Sequence, residues 1–268
     1  RTDCARLSRP DKRSVRRWVI RARIARAGKG VFMQEIMGYI RRAVTEYGMI
    51  TDGDTVAVGV SGGKDSVALL AGLAGVRRFI GISFTLKAIT LDNQFGGFET
   101  DYGPIAALCE RLGVEYILKR TDIGRIIFDE RNESNPCSLC ARMRRGLLHD
   151  TAKTNGCNKI ALGHHYNHAV ETFLMNLFNV GRIGCFSPVT YLSRKDLTMV
   201  RPLVFATERE IRNAVNRAGL PVVKSACPVD GCTERQWTKE FLYDMEKNHP
   251  GITKRIFGAM RRGQVSGW

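Results

Sequence analysis

The chain has 268 residues, 44% of them apolar, and a formal net charge of +16. Its length suits one large domain or a domain with an appendage. With 27 glycines and 8 prolines it is neither collagen-like nor low-complexity, and no uncharged apolar run approaches the ~18 residues of a membrane span. So large an excess of positive charge implies a polyanionic partner, with nucleic acid favoured over an anionic membrane.

That charge is unevenly placed. Residues 1–30 hold eleven Lys and Arg against Asp3 and Asp11. An RNA-contacting tail, an organelle-targeting leader and a non-native extension all fit such a segment. Met33, just before the first well-patterned helix, would suit a natural start, so residues 1–32 are expected to be a basic N-terminal extension. Eight scattered cysteines without a secretory apolar segment point to a reducing cytoplasm, where closely spaced cysteines serve as metal ligands or catalysts.

From Met33 to Tyr47 apolar residues recur at helical spacing. Thr55–Val60 is short, Val-rich and almost wholly apolar, as a buried parallel strand should be. Ser61-Gly-Gly-Lys-Asp-Ser66 follows, and then the helical pattern of Val67, Leu69, Leu70 and Leu73. Phe84–Leu91 and Glu115–Leu118 read as the next strands, with a helix through Ile105 and Leu112 between them. After a polar stretch come a helix over Ala141–Thr154, a strand at Lys159–Gly163, a helix over Ala169–Phe178 and a fifth strand at Leu197–Leu203. This alternation predicts an α/β fold: an open parallel sheet with helices on both faces, over residues 33–205. Thr207-Glu-Arg-Glu210 has the form of a capping box and Gly219 suits a helix end. Helical stretches at Thr233–Asn248 and Gly251–Arg261 complete a C-terminal helical extension, residues 206–268, that carries Cys227 and Cys232.

The loop between the first strand and its helix has the makings of an anion site. Gly62 and Gly63 permit a tight turn and close backbone approach, so successive amides can line a concavity. The helix start adds unpaired donors, Lys64 a full charge, and Ser61 and Ser66 hydroxyls. The spacing is shorter than that of a Walker A loop. Cys137 and Cys140, opening a helix, form a second pair of thiols for which the helix start favours the thiolate. Arg142, Arg144 and Arg145 follow immediately and could track RNA phosphates, with Arg261 and Arg262 extending the track. A solvated basic face is the alternative. Trp237 and Phe241, at i,i+4, could stack bases or pack in the core.

Ser61–Ser66 resembles the pyrophosphate loop of the N-type ATP pyrophosphatases, the PP-loop superfamily with its adenine nucleotide alpha hydrolase-like fold. Gly163-His-His165 with Glu171-Thr172 resembles a second motif of the tRNA-modifying branch. Pro136-Cys-Ser-Leu-Cys-Ala-Arg-Met-Arg-Arg-Gly-Leu-Leu148, Arg201-Pro-Leu203 and Cys227 resemble the tRNA 2-thiocytidine synthetases, over roughly Met33 to Arg262.

The resemblance implies an ATP-dependent tRNA sulfurtransferase. ATP would adenylate the 2-oxo group of an anticodon-loop cytidine with release of pyrophosphate, and sulfur would then replace the oxygen. It implies ATP contacts at Ser61, Gly62, Gly63, Lys64, Asp65, Ser66, His164 and His165, with Lys64 and Asp65 serving catalysis and Asp65 holding Mg²⁺. It implies a [4Fe–4S] cluster on Cys137, Cys140 and Cys227, with three thiolates leaving one iron open to sulfide. Tetrahedral zinc on those three and Cys232 is the competing reading. The implied partners are tRNA and a cysteine desulfurase, as monomer or homodimer, with no membrane. Members of this family usually carry two aspartates where this chain has Asn167 and His168. Two alternatives stay open: a related PP-loop enzyme acting on another base or a small molecule, and a catalytically impaired tRNA-binding paralogue with structural zinc.

Overall fold

A computed structural model describes residues 33–131, 136–224, 227–228 and 234–268. The basic extension of residues 1–32, Cys4 and Cys232 lie outside the described residues.

Helix α1 (33–46) leads to β1 (Thr55–Gly59), α2 (Lys64–Val76), β2 (Thr85–Asp92), α3 (Gly103–Leu112) and β3 (Glu115–Arg120). The short α4 (Ile123–Arg125) runs on as a wide helical turn to Glu130, followed by α5 (Pro136–Thr154), β4 (Lys159–Ala161) and α6 (Tyr166–Val180). Strands β5 (Val189–Leu192) and β6 (Leu197–Val200) precede α7 (Glu208–Ala218), α8 (Glu234–Asn248) and α9 (Ile252–Arg262).

The six strands form one sheet in the order β3-β2-β1-β4-β6-β5, parallel throughout except for β5. The apolar run of β1 is explained by its place between β2 and β4, covered on both faces. Alternation along the strand divides the core. Val56 and Val58 join the large cluster beneath α1, α2, α6 and α7, whereas Ala57 faces a smaller cluster with Ile89, Ile160 and Ala152 of α5. Helix α2 is buried nearly all round, with Gly72 packed against Ile40 and Gly75 against Met37 of α1. A Cβ at either glycine would collide with those side chains. The C-terminal helices share the main core through Ile211, Val215, Phe257 and Met260.

Two segments differ from the sequence expectation. The fifth predicted strand, Leu197–Leu203, ends at Val200, because the Arg201 amide turns to the Pro188 carbonyl and Pro202 has no N–H for a ladder. Val189–Leu192, not predicted as a strand, pairs with β6 as an antiparallel edge. Its turn holds Asp196 at φ 47, a conformation open to Asp through its short polar side chain. Among the described residues, no helix is long and apolar enough to cross a membrane.

The predicted capping box at α7 is formed. Glu210 accepts from the Thr207 amide at 2.7 Å, and the Thr207 hydroxyl accepts from the Glu210 amide at 3.3 Å. Tyr39 of α1 donates to the other Glu210 oxygen at 2.9 Å. Burial, reinforced by Glu210, pushes the Tyr39 phenol up to about 12. Tyr39→Phe should therefore lower stability in urea denaturation at pH 7 by about 0.5–1 kcal/mol. That difference should persist up to about pH 10 and vanish as pH rises through 12, because the raised phenol stabilises the fold only while protonated.

Candidate functional site

The chain runs outward from β1 to β2 and β3 and then returns to place β4 on the other side of β1. Ligands of open α/β sheets bind at such a reversal, outside the carboxyl ends of the strands. The loop after β1 is Val60-Ser61-Gly62-Gly63, and the loop after β4 is Leu162-Gly163-His164-His165.

The first loop is fixed from below and above. The Val60 amide donates to Ile89 at 2.8 Å, and the Thr90 hydroxyl donates to the Val60 carbonyl at 2.7 Å. Gly62 has φ +86, and a Cβ there would lie 2.8 Å from that of Val223. The Val223 amide donates to the Gly62 carbonyl at 3.0 Å, so the chain after α7 is tied to this loop at Val223. Ser66 donates to the Gly63 carbonyl at 2.9 Å and lies 3.3 Å from the Ser61 hydroxyl. Helix α2 then begins at Lys64, and the amides of its first turn have no intrahelical acceptor. The second loop comes so close that a Cβ on Gly163 would lie 3.1 Å from backbone atoms of Asp65 and Ser66.

The two loops floor a cleft of about 400 Å³. Its other wall is α5, through Ala141, Arg144, Arg145 and Leu148. Cys137 and Cys140 occupy the first turn of that helix, so the thiols stand one turn from the cleft. Burial raises the Cys140 thiol, Arg144 opposes, and Cys227 and Cys137 raise it further, which places all three cysteines in one electrostatic neighbourhood. Among the described residues, one triad alone brings ligating atoms within 4.8 Å of one another, and it is not the cysteines. The zinc reading also needs Cys232, which lies outside the described residues.

Lys64 Nζ lies 3.2 Å from Asp65 and 3.2 Å from Glu208. Glu208 also pairs with Lys239 at 2.8 Å and with Arg212 at 3.2 Å. Burial alone would raise Glu208, but Lys239 and Lys64 hold it down at about 2. Burial raises Asp65 against the pull of Lys64. Its Oδ1 is buried without a hydrogen-bond partner, 3.6 Å from Nε2 of His165. His165, 1% exposed, has no hydrogen-bond partner on that nitrogen. Burial, with the nearby Lys64, lowers it to about 3, and burial with Arg201 does the same to His164. Both are uncharged at neutral pH.

Of the residues singled out in the sequence, Ser61, Asp65, Ser66, His164, Arg144 and Arg145 line the cleft. Arg142 is exposed and outside that lining. Arg261 reaches Glu46 and lies 5.2 Å from the Phe205 ring, which ties α9 to α1 instead of extending a track beside the cysteines. Trp237 is 52% exposed and stacks on Phe241 at 5.8 Å, on α8 away from the cleft lining. Glu171 is buried and pairs with Arg235 at 3.2 Å, while Thr172 accepts from the same guanidinium. That part of the second motif anchors α8 to α6. Asn167 accepts from the Glu208 amide at 2.9 Å and supports the start of α7. Glu208 itself was not singled out, since nothing in the sequence joins it to Lys64, 144 positions earlier.

A phosphate-type loop facing a second loop across the reversal of a parallel sheet defines an ATP-binding α/β protein of PP-loop type. Residues 36–244 match the PP-loop domain family. The tRNA-cytidine(32) 2-sulfurtransferase of Geobacter sulfurreducens is 40% identical over 230 residues, 85% of this chain and 89% of the relative. That of Dechloromonas aromatica is 35% identical over 85% of this chain and 81% of its own. The U34-tRNA thiolase NcsA from Methanococcus maripaludis, whose structure contains a [4Fe–4S] cluster, superimposes with a TM-score of 0.71. It is 25% identical, over 87% of this chain and 79% of its own. The chain belongs to the PP-loop family, in the branch of the tRNA-cytidine(32) 2-sulfurtransferases.

The contact between the loops is sensitive to a single methyl group. Gly163→Ala should force the β4 loop from the start of α2 and cost about 1–3 kcal/mol of stability. Thermal unfolding should show that loss, with ATP binding weakened in parallel by calorimetry.

Proposed function

We propose that this chain thiolates a tRNA cytidine at C2 in an ATP-dependent reaction, the activity for which its sulfurtransferase relatives are named. One observation carries the reading: α5 bears Cys137 and Cys140 at its start and, one turn on, lines with Arg144 and Arg145 the cleft floored by the phosphate loop. A nucleotide on that loop and a reactive group on those cysteines would reach the same base.

The 2-oxo group of a cytidine is a poor leaving group. Its oxygen would attack the α-phosphorus of ATP, forming a P–O bond as pyrophosphate departs. Sulfur would then add at C2, and the C–O bond would break with expulsion of AMP. The amides of the first turn of α2 and the Lys64 ammonium would carry the charge on the phosphates. The free Oδ1 of Asp65 would hold the divalent cation accompanying the triphosphate, for which Mg²⁺ is the common choice. His164 and His165, uncharged, would add no repulsion for that cation.

Cys137, Cys140 and Cys227 would hold a [4Fe–4S] cluster, which when bound supplies an iron site able to carry sulfide. The three thiols act on one another at Cys140, and three thiolates with one iron left open support that group. Arg144 and Arg145 would meet phosphates of the tRNA or the nucleotide, while Arg142 faces the solvent side where RNA arrives. An unstacked base in the anticodon loop is accessible to such a cleft. A cysteine desulfurase would be the sulfur source, with two equivalents of a cytoplasmic thiol reducing its persulfide to sulfide and leaving as a disulfide.

A second reading is a tRNA-binding protein that holds nucleotide without turnover. It draws on Asn167 and His168, which stand where the resembling family carries aspartates.

Lys64→Ala should reduce tRNA-dependent pyrophosphate release at least 100-fold. Iron content should not change, because Glu208 keeps Lys239 and Arg212 as partners. Cys137→Ser should give the converse: iron lost, with ATP binding by calorimetry retained. Loss of iron in Lys64→Ala, or full thiolation by Cys137→Ser, would contradict the division of labour. A parent protein that binds ATP and tRNA but releases no pyrophosphate would favour the silent binder.

A further inference from the structure

We propose that Asp65, His165 and His168 form a binding site for a nitrogen-seeking divalent transition metal of the zinc type, resident in the protein without nucleotide. Their ligating atoms all lie within 4.8 Å of one another, the one such triad among the described residues. It draws on both loops of the sheet reversal, Asp65 from the start of α2 and the two histidines from the start of α6.

The pattern of unsatisfied atoms points to a missing ligand. Buried polar atoms in folded proteins nearly always have partners. Here Asp65 Oδ1 and the facing His165 Nε2 have none, although His165 is 1% exposed, while the other side of that ring caps the start of α6 against the His168 amide. Lys64 occupies only the other oxygen of Asp65, at 3.2 Å. The facing pair, His165 Nε2 and Asp65 Oδ1, is separated by 3.6 Å, too far for a hydrogen bond. Two donors about 2.05 Å from one tetrahedral metal stand about 3.3 Å apart. A shift of a few tenths of an ångström therefore brings the pair to ligand spacing. The His165 amide donates to His168 Nδ1 at 3.4 Å, long for a hydrogen bond, so Nδ1 carries a lone pair that a metal would take in place of that contact. The His165 and His168 rings are stacked at 3.7 Å, so coordination by both requires His168 to rotate out of that stack.

Donor chemistry selects the ion. Mg²⁺ is a hard cation that prefers oxygen ligands and keeps its waters. Two neutral imidazoles and one carboxylate suit zinc and its first-row neighbours, with the fourth position open to water or a phosphate oxygen. The inference shares Asp65 Oδ1 with the cation assigned to the triphosphate above, but it concerns metal binding without ATP or tRNA, so its failure is distinguishable from failure of the thiolation reading.

The test uses the full chain loaded with iron and sulfide, titrated anaerobically with Zn²⁺ alone. One zinc per chain is expected, and its X-ray absorption spectrum should show nitrogen and oxygen neighbours at about 2.0–2.1 Å with imidazole scattering and no sulfur shell at about 2.3 Å. His168→Ala should weaken Zn²⁺ binding at least tenfold while iron content is unchanged. His168→Asp provides a second variant with polarity retained, in which Zn²⁺ should weaken relative to Mg²⁺. A sulfur shell, or unchanged zinc affinity in both variants, overturns the proposal. If the iron-free chain also binds zinc through imidazole after its cysteines are alkylated, the site is independent of the thiols as proposed.

Discussion

The arrangement rests on the close approach of two backbone segments, the turn after β4 and the first turn of α2. Strands β1 and β4 are hydrogen-bonded neighbours, with Val56 opposite Lys159 and Val58 opposite Ala161, so their carboxyl ends emerge side by side. A Cβ at 163 would lie 3.1 Å from the Asp65–Ser66 backbone, so any larger residue requires one of the two segments to give way. Since α2 is buried almost all round and packed against α1, it cannot retreat from that contact. Asp65 and His165 consequently meet across a 3.6 Å gap, and the donors of the phosphate loop open toward α5.

The C-terminal helices complete the site as well as the core. The Val223–Gly62 hydrogen bond fastens the chain after α7 onto the phosphate loop, and Glu208 at the start of α7 holds Lys64. Lys64 and Lys239 converge on that carboxylate from different parts of the chain, so both cations are prearranged beside the loop. A bound triphosphate would enter a region where positive charge is already positioned, which limits the reorganisation needed on binding. The net charge of +16 acquires a narrower meaning here. Arg144 and Arg145 line the cleft, where the proposed reaction would bring phosphates, whereas Arg261 holds two helices together.

The sheet and its phosphate loop were readable because they are written locally. The apolar run Thr55–Val60, the glycines after it and the helical pattern from Val67 lie within some twenty residues. The capping box at Thr207 was readable for the same reason. The edge strand β5 was missed because four residues at a sheet edge carry little apolar pattern and their pairing depends on β6. The charge network was illegible for a different reason. Glu208 with Lys64, and Glu171 with Arg235, are pairings between distant segments, and nothing in either segment announces its partner. The replacement of an acid by His168 was visible in the sequence, but its proximity to Asp65 and His165 emerges only once α2 and α6 are placed.

The central claim is that one cleft joins adenylation at the phosphate loop to sulfur delivery from the cysteines beside it. The most direct measurement is mass spectrometry of nucleosides from tRNA incubated anaerobically with the iron-loaded protein, sulfide and ATP. The account predicts 2-thiocytidine, and predicts its disappearance when ATP is replaced by an analogue with a non-cleavable α,β-bridge. Thiolation that continues with that analogue, or tRNA left unthiolated with ATP, sulfide and intact iron content, would contradict it.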